Sequence, residues 1–149
     1  STPKPSSAAS DVYKRQDMNN VELINYAKKA MNNAYAPYSN FCVGAALLTD
    51  DGTVYTGCNI ENSSFGATIC AERTAAVKAV SEGHRRFTKI AIVSKAGGYT
   101  YPCGICRQFL SEFSDENMEF IFEGKDGTIL TKSIKDILPY AFNGEWRNI

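Results

Sequence analysis

The chain has 149 residues, of which 44% are apolar and 21% are charged, as in an ordinary globular domain. A chain of this length buries roughly 68–70% of its unfolded surface, so it needs no metal for its core, and any bound metal is expected to serve chemistry. The 16 basic residues balance 16 acidic ones without a basic cluster, and no apolar run approaches the roughly 18 residues of a membrane span, which argues against nucleic acid and membranes as partners.

The first 17 residues differ in composition from the rest of the chain. They are rich in Ser, Pro and Ala and lack the apolar core of a signal peptide. We interpret residues 1–17 as a vector-derived leader that precedes a natural start at Met18. Residues 18–149 are then expected to form a single domain.

Hydrophobic periodicity predicts helices and strands from Asn20 onward. Asn20 is expected to cap the first helix, Pro37 to end that segment, and Asp50-Asp51-Gly52 to form a hairpin turn. The predicted elements, in chain order, are a helix from Asn20, strands Phe41–Thr49 and Thr53–Ile60, helix Cys70–Glu82, strand Lys89–Lys95, helix Cys103–Phe113, strands Glu119–Glu123 and Thr128–Lys132, and a short helix Ile134–Leu138. This order predicts an α/β fold: a three-layer α/β/α domain with a mixed sheet of about five strands and a right-handed crossover.

The helix over Cys70–Glu82 has a predicted packing face. Ala71, Ala75, Val77 and Val80 are expected to contact the sheet.

The five cysteines are Cys42, Cys58, Cys70, Cys103 and Cys106, and their odd number without a signal peptide indicates reduced thiols in a cytoplasmic protein. Cys103 and Cys106 lie one turn apart at the start of one helix, and Cys70 opens another. The positive end of a helix favours the thiolate, which is the form that binds metal. If both helices follow strands of one parallel sheet, the three thiolates converge in one crevice.

Three thiolates leave one position of tetrahedral zinc open for water, as in a catalytic site. Glu72, two residues after Cys70, is close enough to take a proton from that water without being a ligand. This pattern predicts hydrolytic chemistry. Two alternatives stay open: a redox dithiol formed by Cys103 and Cys106, and a closed structural zinc site with Cys58 as fourth ligand, as in a zinc-stabilised interaction module.

Four stretches of the sequence resemble the small homotetrameric zinc-dependent cytidine deaminases: Phe41–Ala46, Gly57–Asn62, Cys70–Thr74 and Pro102–Gln108. The resemblance covers nearly all of residues 18–149. It implies hydrolytic deamination of cytidine and 2′-deoxycytidine to uridine and 2′-deoxyuridine in pyrimidine salvage, with release of ammonia and one zinc ion per subunit. Deamination of another cytosine nucleoside, of the blasticidin type, is the alternative within this chemistry.

The resemblance implies roles in the chemical step for five residues. Cys70, Cys103 and Cys106 would bind zinc. Glu72 would carry protons from water to the cytosine ring and then to the leaving amine, and Arg73 would donate hydrogen bonds to the zinc sulfurs.

The resemblance also implies a binding site for the nucleoside. Phe41 would line the pyrimidine pocket, Asn59 and Glu61 would bind the ribose, chiefly its 3′ hydroxyl, and Ala71 would offer backbone groups to the base. Phe142 would reach the active site of a neighbouring subunit, which makes a homotetramer the expected assembly.

The sequence departs from the family pattern at three positions. Phe65 stands where tyrosine is frequent, Tyr101 where serine is common, and Cys42 where proline is frequent. These departures are expected to alter details of the pocket and not the chemistry.

Overall fold

A computed structural model describes residues 18–144 of the chain. The helices in this range are α1 (Asn20–Met31), α2 (Ala71–Ser81), α3 (Gly104–Ser111) and α4 (Ile134–Ile137); the strands are β1 (Val43–Thr49), β2 (Val54–Cys58), β3 (Phe87–Ser94), β4 (Glu119–Glu123) and β5 (Ile129–Lys132). The predicted leader, residues 1–17, and the last five residues of the predicted domain lie outside the described residues. None of the helices in the described range has the length and apolar character needed to cross a membrane.

The strands form one mixed sheet in the order β2-β1-β3-β4-β5. β1 pairs antiparallel with both β2 and β3, β3 pairs parallel with β4, and β4 pairs antiparallel with β5. β2 and β3 therefore run in the same direction although β1 separates them. We expected α2 and α3 to follow strands of one parallel sheet. This expectation is wrong about the pairing, because β2 and β3 do not pair with each other but each pair antiparallel with β1. Both helices still begin at the same edge of the sheet.

Helices cover both faces of the sheet, which confirms the predicted three-layer α/β fold. α1 packs on one face, and α2, α3 and α4 pack on the other. Every residue of β1 is buried, and its side chains alternate between the two cores. Ala45 and Leu47 join the α2 side, while Ala46 and Leu48 join the α1 side.

The ends and faces of two helices differ from the sequence predictions. Asn19 caps α1 in place of Asn20, since its Oδ1 accepts a hydrogen bond from the backbone N–H of Glu22 at 2.8 Å. α1 also ends at Met31, six residues before Pro37. On α2 the side chain of Val77 is exposed, and the buried residues are Ala71, Glu72, Ala75, Ala76 and Ala79. Small alanines let the helix lie close to the sheet.

Gly57 of β2 allows the closest approach between α2 and the sheet. A Cβ atom at this position would lie 2.5 Å from the carbonyl oxygen of Ala71 and 2.5 Å from the amide nitrogen of Ala75. No side chain larger than hydrogen fits there without moving the helix. The glycine therefore fixes the first turn of α2 against the end of β2.

We expect Gly57→Ala to lower the free energy of unfolding by about 1–3 kcal/mol, because the added methyl group forces the α2 backbone away from β2. Urea denaturation followed by circular dichroism measures the change. Gly66→Ala is the matched control, since nothing lies within 4 Å of its Cβ position. Equal unfolding midpoints for the two variants would contradict the role given to the close approach.

Candidate functional site

Two cysteines occupy the N-cap positions of neighbouring helices. Cys70 precedes α2 and Cys103 precedes α3, and each has an extended backbone. Their carbonyl oxygens accept the first helical hydrogen bonds, from the N–H groups of Thr74 and Arg107, both at 3.0 Å. Neither thiol caps its own helix. Both sulfurs therefore lie beside positive helix ends, which favour the thiolate form.

The sulfur atoms of Cys70, Cys103 and Cys106 all lie within 4.8 Å of one another. The Sγ atoms of Cys70 and Cys103 are 3.7 Å apart. Two thiolates on tetrahedral zinc, with Zn–S bonds of about 2.3 Å, stand roughly 3.8 Å apart. Cys106 is buried and Cys103 is exposed, so the group is open on one side. The three residues could hold a metal ion, and both their spacing and their chemistry fit zinc.

The sequence alternatives are not supported by this geometry. Cys58, the alternative fourth ligand, is not part of the group that the described residues form. A redox pair needs two thiols, whereas Cys70 lies beside Cys103 as a third sulfur. The arrangement is a group of three cysteine sulfurs with one exposed side.

Hydrogen bonds among the thiols favour ionisation of Cys70. The bond with Cys106 is the main cause that lowers the pKa of Cys70 to about 5, and bonds with Arg73 and Cys103 lower it further. The same bond is the main cause that raises the pKa of Cys106 above its usual range. Because metal binds cysteine as thiolate, occupation of the site would release the remaining thiol protons.

Arg73 lies against this sulfur group. Its Nη2 is 3.6 Å from the Sγ of Cys70 and 3.4 Å from the carbonyl oxygen of Thr68. Its Nε is buried and has no hydrogen-bond partner among the described residues. If three thiolates held one divalent cation, their charges would sum to −1, and the nearby guanidinium would offset this charge.

Glu72 is buried in the first turn of α2, with 4% of its surface exposed. Burial is the main cause that raises the pKa of its carboxyl group to about 7, and the negative charge of Cys70 raises it further. A carboxyl group with such a pKa can both accept and release a proton near neutral pH. This burial follows from the packing of α2, because Glu72 lies next to Ala71 on the covered side of the helix.

Asn59 follows β2 and holds the segment that leads into β1. Its Oδ1 accepts a hydrogen bond from the N–H of Val43 at 2.9 Å, and its Nδ2 donates to the carbonyl oxygen of Phe41 at 2.7 Å. The ring of Phe41 is 44% exposed. Asn59 therefore positions the backbone of Phe41, and one N–H of its amide remains for a further bond.

The carboxylate of Glu61 is bound by the same segment. Its Oε1 accepts from the N–H groups of Tyr38 at 2.9 Å and Ser39 at 3.1 Å, and its Oε2 accepts from the hydroxyl of Ser39. The bond from that hydroxyl is the main cause that holds the pKa of Glu61 below its usual range. With Phe65 and Thr68 these residues line a cleft of about 300 Å³. Ser39 was not predicted from the sequence. The only local indication of its role is that a serine two residues before Phe41 can form a turn with its side chain.

Phe142 lies on the segment that follows α4. Its ring is 66% exposed, and its carbonyl oxygen accepts a hydrogen bond from the Nε2 of Gln108 at 2.8 Å. The ring lines a cleft of about 630 Å³ between this segment, α3 and α4. The exposed side chain of Phe142 is accessible to a second chain.

Ala71 is the first residue of α2 and is buried directly beside Cys70.

The three departures from the family pattern have ordinary surroundings. Phe65 is exposed, and its ring meets that of Tyr38 edge-on at 5.7 Å. Tyr101 meets the ring of Phe122 edge-on at 5.0 Å, and Cys42 is half-buried.

A second group of potential ligands, Asp50, Asp51 and His84, lies at the β1–β2 turn. Its central carboxylate already accepts hydrogen bonds from the Thr49 hydroxyl at 2.6 Å and the Thr53 N–H at 3.1 Å. These bonds explain the position of Asp51 without a metal, so the cysteine group is the candidate metal centre.

Comparison with known proteins agrees with this geometry. Residues 18–122 match the family model of the cytidine and deoxycytidylate deaminase zinc-binding region. The cytidine deaminase of Sporosarcina psychrophila is 49% identical over 124 residues, which are 83% of this chain and 91% of that protein. The cytidine deaminase of Halalkalibacterium halodurans is 45% identical over 126 residues, 85% of this chain and 96% of that protein.

Solved structures show the same fold. The crystal structure of cytidine deaminase from Burkholderia pseudomallei has a TM-score of 0.79 and 46% identity, and the match covers 84% of this chain and 100% of that one. The crystal structure of cytidine deaminase from Mycobacterium tuberculosis has a TM-score of 0.76 and 39% identity, with 85% and 99% covered.

We expect Cys103→Ala to lose zinc, because two thiolates remain where three are needed to hold the ion. Elemental analysis of the purified protein measures zinc per chain, and thermal unfolding measures the accompanying loss of stability. Cys42→Ala is the matched control, since Cys42 is not part of the sulfur group. A Cys103→Ala protein that binds one equivalent of zinc with wild-type affinity would contradict the assignment.

Proposed function

Because the chain belongs to the cytidine deaminase family of zinc-dependent hydrolases, we propose that it hydrolyses cytidine and 2′-deoxycytidine to the uridine nucleosides and ammonia. The observation that carries the proposal is the convergence of three thiols beside a buried carboxyl group, Glu72. The reaction would serve pyrimidine salvage in the cytoplasm, with a free nucleoside as the substrate. The balanced charge of the chain supports a small substrate over a nucleic acid.

Cys70, Cys103 and Cys106 hold the zinc ion as thiolates in this proposal. Zinc, when bound, would supply a Lewis acid that lowers the pKa of a water molecule. Arg73 donates to the Sγ of Cys70, and its positive charge reduces the electron density that the thiolates give to the metal. The arginine would thereby help the loaded site to remain a Lewis acid.

Glu72 moves two protons during the reaction. Its carboxylate first takes a proton from the attacking water and delivers it to N3 of the cytosine ring while a C4–O bond forms. It then takes the proton of the new hydroxyl group and delivers it to the amino group, so that the C4–N bond breaks and ammonia leaves. Burial supports both transfers, since it raises the pKa of the carboxyl group to about 7, within the range in which a group can accept and release a proton near neutral pH.

Most of the residues that bind the nucleoside lie in two segments, one that follows β2 and one that precedes β1. The ring of Phe41 forms a wall of the pyrimidine pocket, and backbone groups of Ala71 bind the base. Asn59 and Glu61 bind the ribose, chiefly its 3′ hydroxyl. The hydrogen bond of 2.7 Å between Asn59 and Phe41 supports this arrangement, because it ties a sugar ligand to the wall of the base pocket. Binding of the ribose by Asn59 and Glu61 favours ordinary cytosine nucleosides over the blasticidin type as substrates.

The active form in this proposal is a homotetramer in which Phe142 completes the site of a neighbouring subunit. The 66% exposure of Phe142 supports this role, because it leaves the aromatic side chain free to contact another chain. Further large apolar side chains are exposed on the described part of the surface, and they could be covered by the same assembly: Tyr35, Tyr38, Ile60, Phe65, Tyr101 and Ile105.

The proposed function is tested by ultraviolet absorbance, which follows the conversion of cytidine to uridine by the purified zinc-loaded protein. We expect Glu72→Gln to retain the zinc and the fold but to lose at least 10²–10⁴-fold in activity, because the amide fills the same volume and cannot carry a proton. Absence of turnover by the wild type would overturn the function. More than a tenth of wild-type turnover in pure Glu72→Gln would remove Glu72 from its role.

The shared site is tested with Phe142→Ala. This variant is expected to keep its fold and to bind cytidine more weakly, by about 0.5–1.5 kcal/mol beyond the lost burial, because an aromatic wall is removed. Co-expression with Glu72→Ala produces mixed oligomers in which some sites combine an intact Glu72 with an intact Phe142 from another chain. Activity per intact Glu72 at low cytidine should then exceed that of the Phe142→Ala oligomer.

Two results would contradict the shared site. One is mass spectrometry that detects mixed oligomers whose activity only equals the sum of the two separate homo-oligomers. The other is a native protein that is monomeric and fully active.

A further inference from the structure

Ser39 contacts two of the residues proposed to bind the nucleoside. It lies between α1 and β1, where its Oγ accepts a hydrogen bond from the N–H of Phe41 at 3.0 Å and donates its own proton to Oε2 of Glu61. Its backbone N–H donates to Oε1 of Glu61 at 3.1 Å. A single serine thus holds both oxygens of one carboxylate and the backbone of the neighbouring aromatic residue.

The hydrogen bonds to Glu61 leave one acceptor site for a ligand. An ionised carboxylate has about four lone-pair sites, two on each oxygen. Oε1 uses both of its sites for the N–H groups of Tyr38 and Ser39, and Oε2 uses one for the Ser39 hydroxyl. The remaining site is on Oε2, beside the Ser39 hydroxyl, and it can be filled only by a group that donates a hydrogen bond.

We propose that Ser39 is a positioning residue that fixes this acceptor site of Glu61 toward the sugar and thereby sets the selectivity for a nucleoside with a donating 3′ hydroxyl. The inference rests on the proposed function, because it requires Glu61 to be the ribose ligand.

The physical reason is the freedom of an exposed carboxylate. A glutamate side chain in water samples many rotamers, and ordering it on substrate binding costs affinity. The Ser39 hydroxyl restrains Oε2 before the substrate arrives, and bonds to an ionised acceptor are stronger than neutral ones. The same bond holds the pKa of Glu61 below its usual range, because it stabilises the ionised form that accepts hydrogen bonds.

Ser39→Ala removes the restraint on Oε2 and the hydrogen bond that the Ser39 hydroxyl accepts from the N–H of Phe41. Loss of the bond to Phe41 affects both nucleosides alike, so it does not change the ratio measured below. The backbone N–H groups of Tyr38 and Ser39 still hold Oε1, and the side chain of Ser39 is exposed, so the fold is expected to persist. Ser39→Thr is the matched control, since it keeps a hydroxyl group at the same atom. Unfolding midpoints of both variants verify that the structure is retained.

The experiment measures kcat and KM for cytidine and for 3′-deoxycytidine, which lacks the donor. Ser39→Ala should lower the ratio of kcat/KM for cytidine to kcat/KM for 3′-deoxycytidine by roughly tenfold, mainly through a higher KM for cytidine, because a bond to a charged group weakens. Ser39→Thr should restore most of this preference. Glu61→Gln should also lower the ratio, and adding Ser39→Ala to Glu61→Gln should lower it no further.

The outcomes separate this inference from the function on which it rests. If Ser39→Ala raises KM for both nucleosides by the same factor while Glu61→Gln lowers the ratio, Ser39 only shapes the loop and the inference is wrong, although the ribose contact stands. If neither variant changes the ratio, the role of Glu61 and the inference both fail. A wild-type protein without activity on cytidine would overturn the proposed function itself.

Discussion

The contact between α2 and β2 at Gly57 is the constraint on which the candidate metal centre depends. β2 and β3 run in the same direction, so α2 and α3 begin at one edge of the sheet, and the depth of α2 on β2 then sets the distance between their N-caps. The backbone of α2 lies where even a Cβ of residue 57 would collide with it. Metal–ligand distances tolerate only about 0.2 Å. The 3.7 Å between the sulfurs of Cys70 and Cys103 is therefore a result of helix packing.

The same packing brings the thiolates and the carboxyl group of Glu72 close together, and the surrounding groups stabilise these negative charges to different extents. Two helix N-termini and Arg73 face the sulfurs, and each reduces the free energy of the thiolates. The ionised form of Glu72 is stabilised less, because the carboxyl group is buried and lies next to the charge of Cys70, and its pKa rises to about 7. The environment thus lowers the pKa of the Cys70 thiol and raises the pKa of the Glu72 carboxyl group, although both groups lie within one helical turn. The thiol of Cys70 is readied to bind a cation, and the carboxyl group is readied to exchange a proton.

Features that arise within a short stretch of sequence could be predicted, whereas features that arise from tertiary contact could not. Short continuous apolar runs located β1 and β3 to within a few residues, and the fold class followed from the order of the elements. The insertion of β1 between β2 and β3 depends on pairing that no local pattern encodes. Spacing alone suggested that Val77 is buried, because helical periodicity does not show how far the sheet extends. Ser39 was missed because its partner, Glu61, is 22 residues away.

The binding half and the chemical half of the site are joined by one short bridge. Ile60 lies between Asn59 and Glu61 and exchanges two backbone hydrogen bonds of 2.9 Å with Ile69, the residue before Cys70. The backbone of Tyr35 bonds to Asn59 at 2.9 Å and to Glu61 at 2.8 Å on the other side. The proposed sugar ligands are therefore linked to Cys70, the first of the proposed metal ligands, through hydrogen bonds of the backbone, which has no rotamers to change. Since misplacement by about 1 Å can cost 10²-fold in rate, a rigid link of this kind would let binding of the ribose orient the base toward the candidate metal centre and Glu72.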